Sequence, residues 1–278
     1  MSRSTLPTIR REELIALAEE VAETHCPGQF IDPTRILEKK RISYSFNYYG
    51  NGFDGMLEHR RGRFHVYCNL DRVSNPTHPR ARFTQGHELG HFFIDAHRNA
   101  LMRGVPPHLS IADQVDPERT VEEEADLFSS HLLMPRNRFK TVLRAQPPGL
   151  KGIIGVGKEF GVSCSSAAIR VIGHTAEPLA LVYWRNDKGP WTEVNPAFQN
   201  MGLVHPMRSA NRLPTDCATA LAMADNPNNY NDPRATVSVA SFWFTGVYHG
   251  SAQDIMLHEE ALRLGRFGVI TVLRPFHK

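Results

Sequence analysis

The chain has 278 residues, 41% hydrophobic and 22% charged, with a formal net charge of +3. This is the composition of a soluble globular protein with one large domain or two smaller ones, and so small a charge does not by itself imply a nucleic-acid partner. No run approaches the 18 apolar residues of a membrane span, the basic start MSRSTLPTIRREEL has no apolar stretch behind it, and four isolated cysteines without a C-x-x-C pair fit a reducing compartment, so a cytoplasmic protein is expected.

In chain order, Leu14, Leu17, Ala18 and Val21 recur at helical spacing and predict an amphipathic helix over 12–24. Asp32-Pro33 reads as an N-cap followed by proline at the first helical position, opening a short helix that ends near Lys40. Residues 42–46 alternate like a strand. Residues 52–58 and 63–70 flank the turn His59-Arg60-Arg61-Gly62 and predict a β-hairpin, with Phe64, Val66, Cys68 and Leu70 on one face and His65, Tyr67 and Asn69 on the other. A continuous helix is predicted over 80–96, then a polar linker with Pro106, Pro107 and Pro117. Another helix over 120–133 is stopped by Met134-Pro135, and a further one runs from Pro135 to Leu143. Pro147-Pro148-Gly149 breaks the pattern, and 150–172 reads as two helices around Phe160-Gly161-Val162-Ser163. Beyond Gly173, strand-like runs at 179–184, 237–244 and 269–273, a helix at 215–224 and an asparagine-rich loop at 226–231 predict a small α/β domain.

Fourteen residues are histidine, and two carry a spacing signal. His87-Glu88-Leu89-Gly90-His91 is an H-E-x-x-H motif. Helical residues four apart lie one turn apart and about 40° out of line, so His87 and His91 can offer two imidazole nitrogens to one metal. Glu88, about 100° round from His87, can reach a water there without being a ligand. Neutral imidazoles suit zinc, with manganese as the alternative. Gly86 and Gly90 cost a helix about 1 kcal/mol each against alanine, which implies that something approaches the helix closely. A catalytic zinc takes three protein ligands. On the helix 120–133, Val121, Ala125, Phe128 and Leu132 form the core stripe, which places Glu122 and Asp126 together on an adjacent face. Between Glu122 and Glu124, the former is favoured as third ligand because only it has an aspartate four residues on, able to hold a ligand histidine's free ring nitrogen. Glu123 points away from the stripe and reads as solvated.

These residues together resemble the ImmA/IrrE family of zinc metallo-endopeptidases: Phe83-Thr84-x-x-His87-Glu88-Leu89-Gly90-His91, then Glu122-x-Glu124-Ala125-Asp126-x-Phe128, then Leu132-Leu133-Met134-Pro135. Lys158-Glu159-Phe160-Gly161-Val162-Ser163 and Ala167-Ala168-Ile169-Arg170 resemble that family's helix-turn-helix-like segment. The resemblance covers roughly residues 10–175. It implies an α+β fold with a zincin-like metallopeptidase domain over 1–148, the helix-turn-helix-like segment over 149–175 and an accessory C-terminal domain over 176–278. It also implies His87, His91 and Glu122 as metal ligands, Glu88 as base and, as substrate, a repressor of the helix-turn-helix type whose cleavage relieves repression in stress response or mobile-element control. The family often has asparagine where this chain has Asp126.

The remaining candidates are read from the residues. Tyr67 is a candidate oxyanion partner, and Tyr67, Asn69, Arg60 and Arg61 are candidate substrate-binding residues. Arg60, Arg61 and Arg63, with Arg72, Arg80 and Arg82, form a basic cluster that is either a solvated turn or a surface steering an acidic partner to the cleft. The strand after the hairpin turn is expected to offer its edge to an extended peptide. On a continuous helix His97 would lie about 80° from His87, so it is not expected to contact substrate. His131 would lie about 180° from Glu122. The second helix of the helix-turn-helix-like segment offers Cys164, Ser165, Ser166, Ala167 and Ala168 with Arg170 as its only base, so direct DNA binding is not expected. The alternative to a peptidase is a transcriptional regulator or protein-binding module with a structural or vestigial metal site.

Overall fold

Helix α1 (Thr8–His25) opens the fold in the computed structural model, which describes residues 6–28, 30–50, 52–71, 73, 75–106, 119–185, 190–207, 213–228, 232–247 and 255–276. Arg72 of the basic cluster, Pro107 and Pro117 of the linker and residues 229–231 of the asparagine-rich loop lie outside these residues. Helix α1 starts four residues before the predicted Glu12, with Pro7 at its N-cap, and so takes in Arg10. It buries Leu14, Ile15, Ala18, Val21 and Ala22. Helix α2 (Pro33–Lys39) has the predicted cap: the Asp32 side chain accepts from the Thr34 N–H at 3.0 Å.

Three strands follow, β1 (Ser43–Asn47), β2 (Gly55–Arg60) and β3 (Arg63–Asn69), in the order β1-β3-β2, with β1 parallel and β2 antiparallel to β3. The hairpin turn is two residues, not four: Arg60 pairs with Arg63, and Arg61 and Gly62 take φ of +52° and +74°. This left-handed pair matches the strand twist, which a wider turn would not require. β3 is central and paired on both sides, so the expectation that it offers an edge is overturned; β2 is the edge strand on that side. The predicted alternation holds, with Val66 and Cys68 buried and His65 and Tyr67 half-buried on the opposite face.

The predicted single helix over 80–96 is two helices, α3 (Pro79–Phe93) and α4 (Asp95–Met102), joined at Ile94, whose backbone is extended (φ −76°, ψ 109°). Asp95 then sits in the first turn of α4, where the helix dipole favours an acid. Helix α5 (Arg119–Leu133) packs between α1 and α3, burying Ala125, Phe128 and Leu132, and α6 (Arg136–Arg144) follows Pro135.

Helices α7 (Leu150–Phe160) and α8 (Cys164–Ile172) flank Gly161 at φ +59°, the predicted pair around a glycine turn. The remaining elements are β4 (Ala180–Trp184), β5 (Trp191–Val194), α9 (Pro196–Gln199), β6 (Leu203–Pro206), α10 (Ala218–Ala224), β7 (Arg234–Val239), β8 (Phe244–Val247), β9 (Met256–Arg263) and β10 (Val269–Pro275). Five of these strands form an antiparallel sheet in the order β5-β4-β10-β9-β7, and β6 pairs with β8. The predicted strand over 237–244 is broken by a turn of tighter helix at Ala240–Phe242. One sheet face carries Leu257, Ala261, Val269 and Leu273 into a core with Trp184, Trp243, Phe198 and Phe244.

The chain divides into two compact units: Met1–Phe139 with Glu159–Ser163, and Lys140–Lys158 with Cys164–Lys278. This division does not follow the boundaries at 148/149 and 175/176. The Leu150 N–H at the start of α7 is accepted by Glu260 of β9, which ties α7 to the C-terminal sheet. The turn joins the N-terminal unit because the Arg82 guanidinium donates to the carbonyls of Ile31 (2.6 Å), Gly161 (3.0 Å) and Phe160 (3.4 Å) and lies over the Phe30 ring. Among the described residues, no helix is long and apolar enough to cross a membrane.

Candidate metal centre

Helix α3 enters the core glycine side first. A Cβ on Gly90 would stand 3.1 Å from the Ala125 Cα and 3.3 Å from its carbonyl oxygen, and one on Gly86 would stand 2.5 Å from the Ser129 hydroxyl. Helix α5 is therefore what approaches the two glycines. Ser129 completes the contact by donating to the Phe83 carbonyl at 2.9 Å. This close packing brings Glu122 to the two motif histidines.

His87 and His91 are 5% and 2% exposed, and their Nε2 atoms face each other at 3.0 Å. Glu122 adds its carboxylate, with Oε2 3.2 Å from the Nε2 of His87 and Oε1 3.4 Å from that of His91. One ligand atom from each of the three lies within 4.8 Å of the others. The Glu122 Oε1 is buried with no hydrogen-bond partner among the described residues. Two imidazole nitrogens and a carboxylate oxygen turned toward one point are three acceptors without enough donors. That is the arrangement a divalent cation satisfies, and its donor set of two histidines and one glutamate suits zinc.

The electrostatics reflect this crowding. Burial pushes the His87 pKa down, but hydrogen bonds to Asp126 and Glu122 outweigh it and hold it well above the ordinary value. Burial pushes His91 down to about 3. Burial raises the Glu122 carboxyl, and the close approach of the His87 and His91 rings more than reverses this, holding it well below the usual range.

Asp126 places its Oδ1 2.9 Å from the Nδ1 of His87. Glu88 is fully buried. A Cβ on Gly55 would come within 2.6 Å of the Glu88 Oε1, so the absent side chain at Gly55 is what lets β2 pass this carboxylate. Glu124 turns away from the two motif histidines. Its Oε2 lies 3.0 Å from the Nε2 of His97, and its oxygens accept from the Arg10 Nε (2.7 Å) and Nη2 (2.8 Å). His97 in turn places its Nδ1 3.2 Å from the Nδ1 of His91. The helical-wheel angle for His97 fails because the chain bends at Ile94. His131 is buried, with its Nδ1 3.9 Å from Glu19 of α1.

The other candidates lie elsewhere. Tyr67 is on the sheet face opposite Gly55 and Cys68, and its hydroxyl donates to Glu58 at 2.9 Å. Asn69 is buried and clamps a loop, donating to the carbonyls of Gly50 and Phe53 and accepting from the N–H groups of Tyr49 and Asp71. Neither joins the cluster. Arg60 and Arg61 are exposed at the hairpin turn. The basic cluster is smaller than expected, since Arg82 is buried and Arg80 pairs with Asp54 at 2.8 Å. Arg170, the one base of α8, is also buried.

No curated protein matches the chain in sequence. Among solved structures, a Mycobacterium tuberculosis transcriptional regulator is similar in fold, with a TM-score of 0.56 at 11% identity, over 96% of this chain and 78% of that one. Residues 74–171 match the family model of the IrrE N-terminal-like domain, a segment that spans the H-E-x-x-H helix, Glu122 and the glycine turn. Within a mixed α+β structure, residues 74–171 are thus similar to the IrrE N-terminal-like domain, a likeness consistent with a zincin-like fold.

Proposed function

We propose that the chain is a zinc-dependent endopeptidase whose substrate is a helix-turn-helix transcriptional repressor. The observation that carries the reading is the convergence of the His87 and His91 Nε2 atoms and the Glu122 carboxylate, with Glu88 next to His87 on helix α3. Zinc held by these three residues supplies a Lewis acid that activates water and polarises the scissile carbonyl. Glu88 is the general base: its carboxylate takes the proton of the attacking water as oxygen joins the carbonyl carbon, then delivers that proton to the amide nitrogen as the C–N bond breaks. Its burial keeps the carboxylate out of bulk water, and Gly55 leaves β2 close to it. Asp126 accepts from the His87 Nδ1–H, which leaves the Nε2 lone pair for the ion.

The repressor as substrate rests on the ImmA/IrrE resemblance and the domain match at 74–171. The similar structure named as a transcriptional regulator favours a second reading, control of transcription without cleavage through a structural metal. One experiment separates them: incubation with the helix-turn-helix repressor encoded beside this chain, with metal analysis of the purified protein to distinguish zinc from manganese. Glu88→Gln is expected to keep one metal ion per chain and lose cleavage on the order of a thousandfold. Cleavage retained by that variant overturns the mechanism, and binding without cleavage by the unaltered chain supports the regulator.

A further inference from the structure

The two ligand histidines are supported differently. His87 gives its Nδ1 directly to Asp126, a side chain 47% exposed. The His91 Nδ1 is linked to a carboxylate through another ring: it meets the His97 Nδ1 at 3.2 Å, and the His97 Nε2 meets the Glu124 Oε2 at 3.0 Å. Arg10 then grips both oxygens of Glu124. His97 and Glu124 are 6% and 8% exposed.

The direction of these hydrogen bonds follows from the metal reading, on which this inference rests. For the His91 Nε2 to present a lone pair, its proton must sit on Nδ1. The Nδ1 of His97 must then be the acceptor, so the His97 proton sits on Nε2 and points at Glu124. A carboxylate is acceptor-only when ionised, and the bidentate arginine fixes both its charge and its orientation. Each step admits one assignment, and the chain ends on a cation that cannot reverse it.

We infer that His97, Glu124 and Arg10 are positioning residues that lock the tautomer and ring orientation of His91, extending the metal centre of this chain into helix α1. The three come from α4, α5 and α1, and the bend at Ile94 is what turns His97 back onto His91. Partners of ligand histidines of this kind typically change metal affinity 10–100-fold when removed.

The test uses the full chain, with zinc affinity measured by competition against a chromogenic chelator and with the visible absorption of the cobalt-loaded protein. His97→Phe and Glu124→Gln are expected to weaken zinc binding about 10–100-fold and to alter the cobalt spectrum, and Arg10→Gln to weaken it less. His97→Gln, which restores a carbonyl acceptor for His91, is expected to recover part of the loss. Glu13→Gln removes a surface partner of Arg10 outside the chain and is expected to leave affinity unchanged. In the His97→Phe background Arg10→Gln should cost nothing further, because the link is already cut, whereas a merely structural arginine would add its own effect. Because Arg10 lies near the surface, its variant keeps the test decisive if His97→Phe fails to fold. Unchanged affinity and spectrum in all three positioning variants overturn the inference while leaving the metal centre standing. Absence of zinc binding by the unaltered chain, or binding indifferent to His91→Ala, overturns the metal reading itself and the inference with it.

Discussion

Asn195 in the C-terminal unit and the His87–His91–Glu122 group in the N-terminal unit are both polar clusters withdrawn from water, but their atoms meet differently. Asn195 accepts from the N–H groups of Leu179 and Phe198 and donates to the carbonyls of Thr175 and Glu177, so every donor faces an acceptor. At the histidine pair, nitrogen faces nitrogen at 3.0 Å and the carboxylate leaves one oxygen without a hydrogen bond. A matched cluster stabilises the fold by itself; a mismatched one costs desolvation until a cation or proton enters. Burial of polar groups is therefore no sign of a metal site by itself; two imidazole nitrogens turned on one another beside a carboxylate are what a cation would satisfy. Asn69, in the same unit as the histidines, has the matched pattern and acts as a loop clamp.

The largest expected effect tests this contrast directly. Zinc at about a thousand times its dissociation constant should stabilise the N-terminal unit by about 4 kcal/mol, seen as a later loss of helical circular dichroism. All three tryptophans, Trp184, Trp191 and Trp243, lie in the C-terminal unit, so the melt followed by tryptophan emission should stay in place. A shift of equal size in both signals would break the comparison. Asn195→Ala should do the reverse, lowering the stability followed by tryptophan emission by about 3 kcal/mol as buried backbone groups lose partners, with metal content unchanged. Smaller again is Gly90→Ala. The new methyl meets the Ala125 backbone at 3.1 Å, so overpacking of roughly 1–3 kcal/mol is partly offset by about 1 kcal/mol of helix propensity. Its distinguishing effect should be weaker zinc binding, as α3 and α5 part; Gly86→Ala, whose methyl displaces the Ser129 hydroxyl from the Phe83 carbonyl but meets the α5 backbone only at 3.6 Å, should bind zinc more nearly as the unaltered chain does.

The smallest effect concerns acid. Burial, with Lys40 and Lys39 nearby, pushes the His25 pKa below its ordinary value, and burial does the same for His65. The unfolded chain protonates these rings at about pH 6.5 while the folded one resists. Stability contributed by both is full above that pH and declines as pH falls from there toward the folded values. In a series of melts between about pH 7 and 5, replacing both rings by phenylalanine should remove the share of the acid-side loss that these two rings contribute to the N-terminal unit.

The site was legible wherever its logic is local. His87 and His91 lie one helical turn apart, and the stripe of Ala125, Phe128 and Leu132 sets the rotation of α5 that separates Glu122 from Glu124. The glycines at 86 and 90 announced a close neighbour without naming it. His97 was hidden because wheel geometry assumes a straight helix, and the extended backbone at Ile94 breaks it. In the C-terminal unit β9 reads as Met-Leu-His-Glu-Glu-Ala-Leu-Arg, rich in good helix formers, yet it pairs between β10 and β7. There the pleat, which turns Leu257, Glu259 and Ala261 inward, overrides propensity.

The sequence by itself determined the chemistry on offer: a helix with two histidines and a base, a second helix with a carboxylate, and the glycines that let them meet. Those are short-range facts, set by the 3.6-residue period and by the absence of a Cβ. Only the tertiary structure decided which polar groups serve that chemistry. Arg10 and Glu124 are 114 positions apart, and Tyr67 and Asn69 share a hairpin with Gly55 yet turn to the other face or into a loop. Such partners are chosen by how helices and strands pack, where a bend of one residue or a sheet face reverses the outcome, and no local period records that choice.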